Sequence, residues 1–195
     1  MIYTTPEHDA LREQVARFLE REVEPHGLQW EEQGYTPREV LRKMGKLGWL
    51  GMTYPSEYGG AETDFLTSVV FQEALSMSTF GGFIVTVLVH TDMASPHLID
   101  AGTPEQIQTY LPRIISGELI TAVGISESDA GSDVAGIRTT ARRDGSDWVL
   151  NGSKMFITNG VHADLYFIAA KTDLEAKGSR GISMFLVEKG TPGFS

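Results

Sequence analysis

Apolar residues in the first 117 positions recur at the spacing of amphipathic helices. In the first predicted helix, one face carries five of them: Leu11, Val15, Phe18, Leu19 and Val23. Pro25 and Gly27 end this helix. The same pattern predicts further helices over residues 37–47, 64–78, 83–99 and 104–115. Residues 1–117 are therefore predicted to form an all-α domain.

Three Thr-Pro pairs mark helix starts: Thr5-Pro6, Thr36-Pro37 and Thr103-Pro104. Threonine suits the N-cap, and proline suits the first helical position because its missing N–H has no partner there. Glu39 and Gln106 follow the second and third threonines at the spacing of a capping box.

After Gly117 the pattern changes to short apolar runs that are rich in β-branched and aromatic residues. Strands are predicted over residues 119–125, 148–150, 154–158, 165–170 and 182–187. The turn-forming dipeptides Asp144-Gly145, Asn151-Gly152 and Asn159-Gly160 lie between them. Residues 118–195 are thus predicted to form an antiparallel β-barrel or sandwich domain without a helix, incomplete at its C-terminus, which makes the fold class α+β.

Composition narrows the function classes. The chain has no cysteine, which excludes disulfides, thiolate metal sites and cysteine catalysis and suits a cytoplasmic protein. Its formal net charge of −10 disfavours binding to nucleic acid or to an anionic membrane. The longest apolar run, residues 83–89, is short for a membrane helix, and the N-terminus has no targeting pattern. No nucleic-acid partner, membrane contact or metal site is expected.

Residues 124–136 form a run of hydroxyls, glycines and carboxylates where the helical pattern gives way to strands. Gly131 and Ser132 would let the backbone approach a diphosphate closely. Ser126 could offer a hydroxyl and an N–H to a flavin ring, which gains negative charge on reduction. Taken alone, such a run is more typical of a surface loop.

This run resembles the first signature of the acyl-CoA dehydrogenase family, and it meets all nine constrained positions. The resemblance extends along the chain but matches only the N-terminal half of the family's usual length. The sequence of residues 144–154 is most similar to the long-chain branch of the family. It implies that FAD is bound by Val123, Gly124, Ile125, Ser126, Gly131 and Ser132. It also implies that acyl-CoA is bound by Ser132, Val134 and Ala135.

Residues 151–160 resemble a second element of the family, in which an aromatic ring packs on the flavin and a threonine meets its N5 edge. By this match Phe156, Ile157 and Thr158 bind FAD. A tryptophan is common at the position of Phe156. Without the resemblance, Phe156 would be interpreted as a core aromatic and Thr158 as an ordinary strand residue.

Two features set limits on this interpretation. Ser128-Asp129 stands where the family commonly has Pro-Gly, and a carboxylate beside a diphosphate is unfavourable unless it points to solvent. The family's catalytic base lies in a C-terminal domain that this chain does not match, so no catalytic residue is predicted and the chain alone is expected to be inactive. Glu127 is predicted to form a structural ion pair rather than to act as that base.

The resemblance therefore implies the N-terminal portion of a FAD-dependent enzyme that desaturates a fatty acyl-CoA and passes electrons to an electron-transferring flavoprotein, as a homo-oligomer when complete. Two alternatives stay open. One is a related flavin oxidase that uses O₂, and the other is a non-catalytic flavin- or acyl-CoA-binding subunit that needs a partner chain.

Overall fold

The computed structural model describes residues 4–195, which divide between Leu119 and Ile120 into two compact units. The first is helical, and the second is built around a sheet. The predicted order of a helical part followed by a strand-rich part is confirmed.

Seven α-helices form the described part of the first unit: α1 (Pro6–Phe18), α2 (Gly27–Gln33), α3 (Arg38–Lys46), α4 (Phe65–Leu75), α5 (Gly81–Leu88), α6 (Pro96–Ala101) and α7 (Pro104–Ile115). A π-helical segment, Leu19–Val23, continues α1, and another, Val89–Ala94, joins α5 to α6. The prediction omitted α2 because its seven residues are too short to show a helical period.

The predicted apolar face runs from α1 into the π-helical segment after it and packs into the core, where Val15, Phe18, Leu19 and Val23 are buried. The ring of Phe18 meets that of Trp49 edge-on, with 5.2 Å between centroids. Trp49 in turn lies 5.7 Å from the ring of Phe71 on α4. These aromatic contacts join α1 and α4 through the loop that follows α3.

The capping predictions had different outcomes. At α7 the box is confirmed, since Thr103 N–H donates to Gln106 Oε1 at 2.9 Å and Gln106 N–H donates to Thr103 Oγ1 at 3.3 Å. At α3 it is wrong. That helix begins at Arg38, with Pro37 at the N-cap and no side-chain cap, and Thr36 is buried with only 8% exposure.

By length and composition alone, the helical stretch Gly81–Ala101 could cross a membrane, with 21 residues and a mean hydropathy of 1.2. The sequence-based prediction of no such segment rested on the shorter apolar run over residues 83–89, which Thr86 interrupts. Core helices of water-soluble proteins have the same composition, and 44% of its most apolar window is buried in the fold.

The second unit contains five strands in one sheet: β1 (Thr121–Gly124), β2 (Thr140–Asp144), β3 (Asp147–Asn151), β4 (Leu165–Lys171) and β5 (Ile182–Glu188). The central strand, β4, is buried from Leu165 to Ala170. It pairs with β5 along its whole length and with β2 only at Thr140↔Lys171. Two short 3₁₀ turns, Val134–Gly136 and Gly178–Gly181, are the only helical turns among residues 120–195.

Three details of the sheet differ from the prediction. The sheet is mixed rather than purely antiparallel, because β1 runs parallel to β4, and residues 125–164 between them are long enough for that crossover. β2 was not predicted, since its Arg142, Arg143 and Asp144 hide the apolar alternation. The strand predicted over residues 154–158 is wrong. This segment is an irregular loop, and the positive φ of Phe156 breaks any ladder.

Candidate functional site

Two loops of the second unit meet at the end of β1. The signature loop, residues 125–136, follows β1, and the Phe156 loop, residues 152–160, lies in the connection between β3 and β4. Met155 N–H donates to the carbonyl of Ser126 at 3.0 Å. The ammonium of Lys154 donates to the carbonyl of Ile125 at 2.9 Å. The two segments predicted to hold a cofactor are therefore side by side.

A buried ion pair joins the same loops. Lys154 Nζ lies 2.7 Å from Glu127 Oε1, and both side chains are only 8% exposed. Glu127 also accepts hydrogen bonds from Arg138 N–H at 2.6 Å, Thr139 N–H at 3.0 Å and Thr139 Oγ1 at 2.5 Å. The predicted structural ion pair of Glu127 is thus confirmed. Its partners Lys154, Arg138 and Thr139 were not predicted.

These contacts fix the charge of Glu127. Burial opposes its ionisation, but the hydrogen bonds from Lys154, Thr139 and the two backbone N–H groups outweigh it and lower the pKa to about 2. Such a carboxylate has little tendency to take a proton near neutral pH. Glu127 therefore stabilises structure and is unsuited to act as a general base.

The turn after Glu127 holds the Ser-Asp replacement. Glu127 and Ala130 exchange backbone hydrogen bonds of 2.9 and 3.3 Å, which leaves Ser128 and Asp129 at the tip. Neither tip residue has a positive φ, so the turn does not need a glycine there. The Asp129 side chain is 58% exposed and lies 3.1 Å from the Arg138 guanidinium. Its carboxylate therefore points to solvent.

The remaining predicted residues of the signature loop differ in exposure. Val123 and Gly124 end β1 opposite Phe167 and Ile168, and a Cβ on Gly124 would lie 2.7 Å from Ile168 Cδ1. Ile125 and Ser126 are half-buried. Farther along, Gly131 and Ser132 are exposed, Val134 is 37% exposed and Ala135 is half-buried in its 3₁₀ turn. A Cβ on Gly131 would meet no atom within 4 Å, so the fold itself leaves open space there.

Phe156 is the most exposed large apolar residue described, at 91%, and its φ of +57° lies in the left-handed region. Ile157 and Thr158 beside it are half-buried. After them, Asn159 adopts a φ of +64° and its side-chain amide donates to the carbonyl of Thr121 at 3.1 Å. The loop thus presents a bare aromatic ring, with one end bound to Ile125 and Ser126 just after β1 and the other end bound to Thr121 on β1.

A flat ring facing solvent and an open backbone segment at Gly131 suit a planar heterocycle and its diphosphate, so the predicted residues fit a flavin nucleotide. Nothing similar suggests a metal. Within residues 4–195, no three His, Asp or Glu side chains are grouped so that they could hold an ion.

Comparison with known proteins identifies the family of the chain. Residues 5–118 match the family model "Acyl-CoA dehydrogenase, N-terminal domain", and residues 122–195 match "Acyl-CoA dehydrogenase, middle domain". The chain belongs to the acyl-CoA dehydrogenase family.

Its relatives include the mitochondrial long-chain specific acyl-CoA dehydrogenase of Mus musculus, 44% identical over 191 residues, which are 96% of this chain and 44% of that protein. An acyl-CoA dehydrogenase structure from Geobacillus kaustophilus has a TM-score of 0.91 at 45% identity and covers 98% of this chain and 50% of that one. A Mycobacterium smegmatis glutaryl-CoA dehydrogenase in complex with FADH2 has a TM-score of 0.89 at 36% identity, with coverages of 98% and 48%. The chain spans about half the length of the relatives it matches.

We expect Lys154→Met to lower the free energy of unfolding by roughly 3–5 kcal/mol, because it leaves the Glu127 carboxylate buried without its cation. Urea denaturation at neutral pH measures this. Lys43→Met is the matched control, since it breaks a pair with Glu22 in which the lysine side chain is 52% exposed. That change should cost less than about 1 kcal/mol. Equal losses of unfolding free energy in the two variants would contradict a stabilising buried ion pair between Glu127 and Lys154.

The same pair sets a pH dependence. Glu127 has its pKa lowered from 4.5 to about 2 on folding, so its contribution is complete above pH 4.5 and is lost as the pH falls through 2. The difference in unfolding free energy between wild type and Glu127→Gln, in which this side chain cannot titrate, should therefore narrow only in that acidic window. A difference that already changes between pH 6 and 8 would argue for another titrating group.

Proposed function

We propose that this chain is the flavin-binding N-terminal part of an acyl-CoA dehydrogenase that desaturates a fatty acyl-CoA thioester between Cα and Cβ. The observation that supports this most directly is Phe156, an exposed ring in a left-handed backbone conformation beside the family's signature loop. A core aromatic would be buried, and a solvent-facing loop has no need of a strained phenylalanine.

FAD is the cofactor that family membership indicates, and when bound it supplies the hydride acceptor for the substrate's β-hydrogen. Phe156 would cover one face of the flavin ring. Ser126 and Thr158 would direct hydroxyl or N–H donors at its polar edge, where negative charge develops. Gly131 and Ser132 would leave room for a diphosphate, with Val134 and Ala135 beside the acyl-CoA.

Proton abstraction is assigned to a residue outside this chain. Glu127 is the acidic side chain nearest to Ser126 in sequence, and its low pKa and four protein donors leave it no capacity for that role. The family's base belongs to its C-terminal domain. We accordingly propose that the complete protein supplies the base, forms the homo-oligomer and passes electrons to an electron-transferring flavoprotein. Oxygen consumption in place of dye reduction by that complete protein would instead favour an oxidase.

Replacing Phe156 by alanine should weaken FAD binding to the chain by about tenfold, since an aromatic contact contributes about 0.5–1.5 kcal/mol beyond its area. Quenching of FAD fluorescence during titration with protein measures the affinity. Phe65→Ala is the control, because that ring is also highly exposed, at 76%, but lies on α4 in the helical unit. Equal affinity of the two variants would exclude Phe156 as the flavin cover.

Gly131 is a position at which FAD binding can be tested separately from folding. Gly131→Ala should leave the free energy of unfolding within about 0.5 kcal/mol of wild type, because the added methyl meets no neighbour. The same methyl should weaken FAD binding at least fivefold by obstructing the diphosphate.

Gly152→Ala is the contrasting variant. Its Cβ would lie 2.3 Å from Thr139 Oγ1, so this change should destabilise the fold itself. If Gly131→Ala binds FAD as the wild type does, then the diphosphate does not approach Gly131.

Asp129→Gly tests the Ser-Asp turn. The Asp129 carboxylate is exposed and lies beside Arg138, so its removal should change the affinity for a CoA thioester less than twofold. Isothermal titration with a CoA thioester measures this, with Ser128→Gly as control at the other tip position. A severalfold gain in affinity for Asp129→Gly alone would mean that the carboxylate does repel the ligand.

A further inference from the structure

We infer that Glu127 and Lys154 act as a positioning pair for the Phe156 ring. What the ring is positioned toward rests on the proposed function, whereas the positioning itself follows from contacts within the second unit.

The starting point is that Phe156 does not hold itself in place. A non-glycine residue with φ of +57° is locally disfavoured, and a ring that is 91% exposed gains almost nothing from burial. The flanking backbone must therefore impose this conformation. An unanchored loop would relax and turn the ring toward the apolar surface.

The anchors before Phe156 lie at the ion pair or next to it in sequence. Lys154, two residues earlier, is bound through its ammonium to Ile125 and Glu127 at 2.9 and 2.7 Å. Met155, one residue earlier, is bound through its N–H to Ser126 at 3.0 Å. These contacts fix the chain direction on entry to Phe156.

The anchors after Phe156 are independent of the ion pair. Gly160 N–H donates to the carbonyl of Ile157 at 2.9 Å, and the Asn159 amide donates to the carbonyl of Thr121 at 3.1 Å. With both ends held, only the residues between Met155 and Asn159 can adjust. Loss of the Lys154 contacts would free the backbone on the N-terminal side of Phe156, next to its strained φ angle.

Glu127 is what makes the Lys154 anchor rigid. The carboxylate is itself held by Arg138 N–H and by the N–H and hydroxyl of Thr139, so the ammonium binds a group that cannot rotate away. An amide in its place would turn an N–H group toward one of these donors. Glu127→Gln should consequently loosen the anchor although the shape is kept.

The test uses the whole chain and the variants Glu127→Gln, Lys154→Met and Lys154→Arg, with Lys43→Met as control. Hydrogen exchange at the Met155 amide should accelerate at least tenfold in the first two variants, and by a larger factor than at the amides of β4, which report any general loss of stability in the second unit. Lys154→Arg keeps the charge and should restore most of the protection. Glu127→Gln, the mildest change, keeps the test informative if Lys154→Met does not fold.

A double-mutant cycle then separates positioning from general support. Lys154→Met should weaken FAD binding about tenfold in the wild-type background and less than twofold in the Phe156→Ala background, because its effect passes through the ring. If the two substitutions reduce FAD affinity by factors that multiply in the double variant, the inference is overturned. Unchanged hydrogen exchange at the Met155 amide would also overturn it. If the wild-type chain leaves FAD fluorescence unaltered, the flavin site of the proposed function fails, and the exchange rates still decide whether the pair positions the loop.

Discussion

The Glu127 carboxylate lies three residues beyond the end of β1 and is buried there, and a buried charge is tolerated only when it is paired and fully hydrogen-bonded. That requirement draws in Lys154 from one side and the backbone at Arg138 and Thr139 from the other. Three distant parts of the sequence consequently meet at one carboxylate. Much of the candidate site is arranged by meeting this constraint.

The position of the Phe156 loop follows from the same contacts. Residues 154–159 run beside β1 in the opposite direction, bound to Ile125 and Ser126 at one end and to Thr121 at the other. β4 occupies its own place as the parallel partner of β1. The loop therefore lies along β1 as a strand would, but Phe156 turns outward where a ladder would continue. Residues 154–159 thus occupy the position of a neighbouring strand but leave the Phe156 ring exposed.

The sequence predicted most of the regular elements and the family. The apolar period on α1 and the capping box at Thr103 correspond to contacts that the local sequence determines. The capping box at Thr36 failed because burial of that residue, a tertiary effect, took precedence over its local propensity. β2 was not predicted for a related reason. It forms a strand because it pairs with β3, and its composition gives no strand signal.

At the site, the sequence indicated the residue types but not their connections. The signature marked Ser126 and Gly131, and the resemblance marked Phe156, which composition alone would have placed in the core. The left-handed backbone of Phe156 could not be foreseen, because phenylalanine has no preference for it and the cause lies in anchors from another loop. Lys154 could have been predicted as the partner of Glu127, because a buried signature glutamate needs a cation and this lysine directly precedes the aromatic segment.

The geometry also explains why binding and proton abstraction can reside in separate parts of a protein. A base that removes a proton next to a carbonyl works best with a pKa near the working pH, which requires a carboxylate with few donors. A carboxylate that holds two loops together needs the opposite, many donors and a pKa far below neutrality, as Glu127 has at about 2. One glutamate cannot meet both demands. The signature loop uses its glutamate for position, so in the proposed desaturation the base is a different residue.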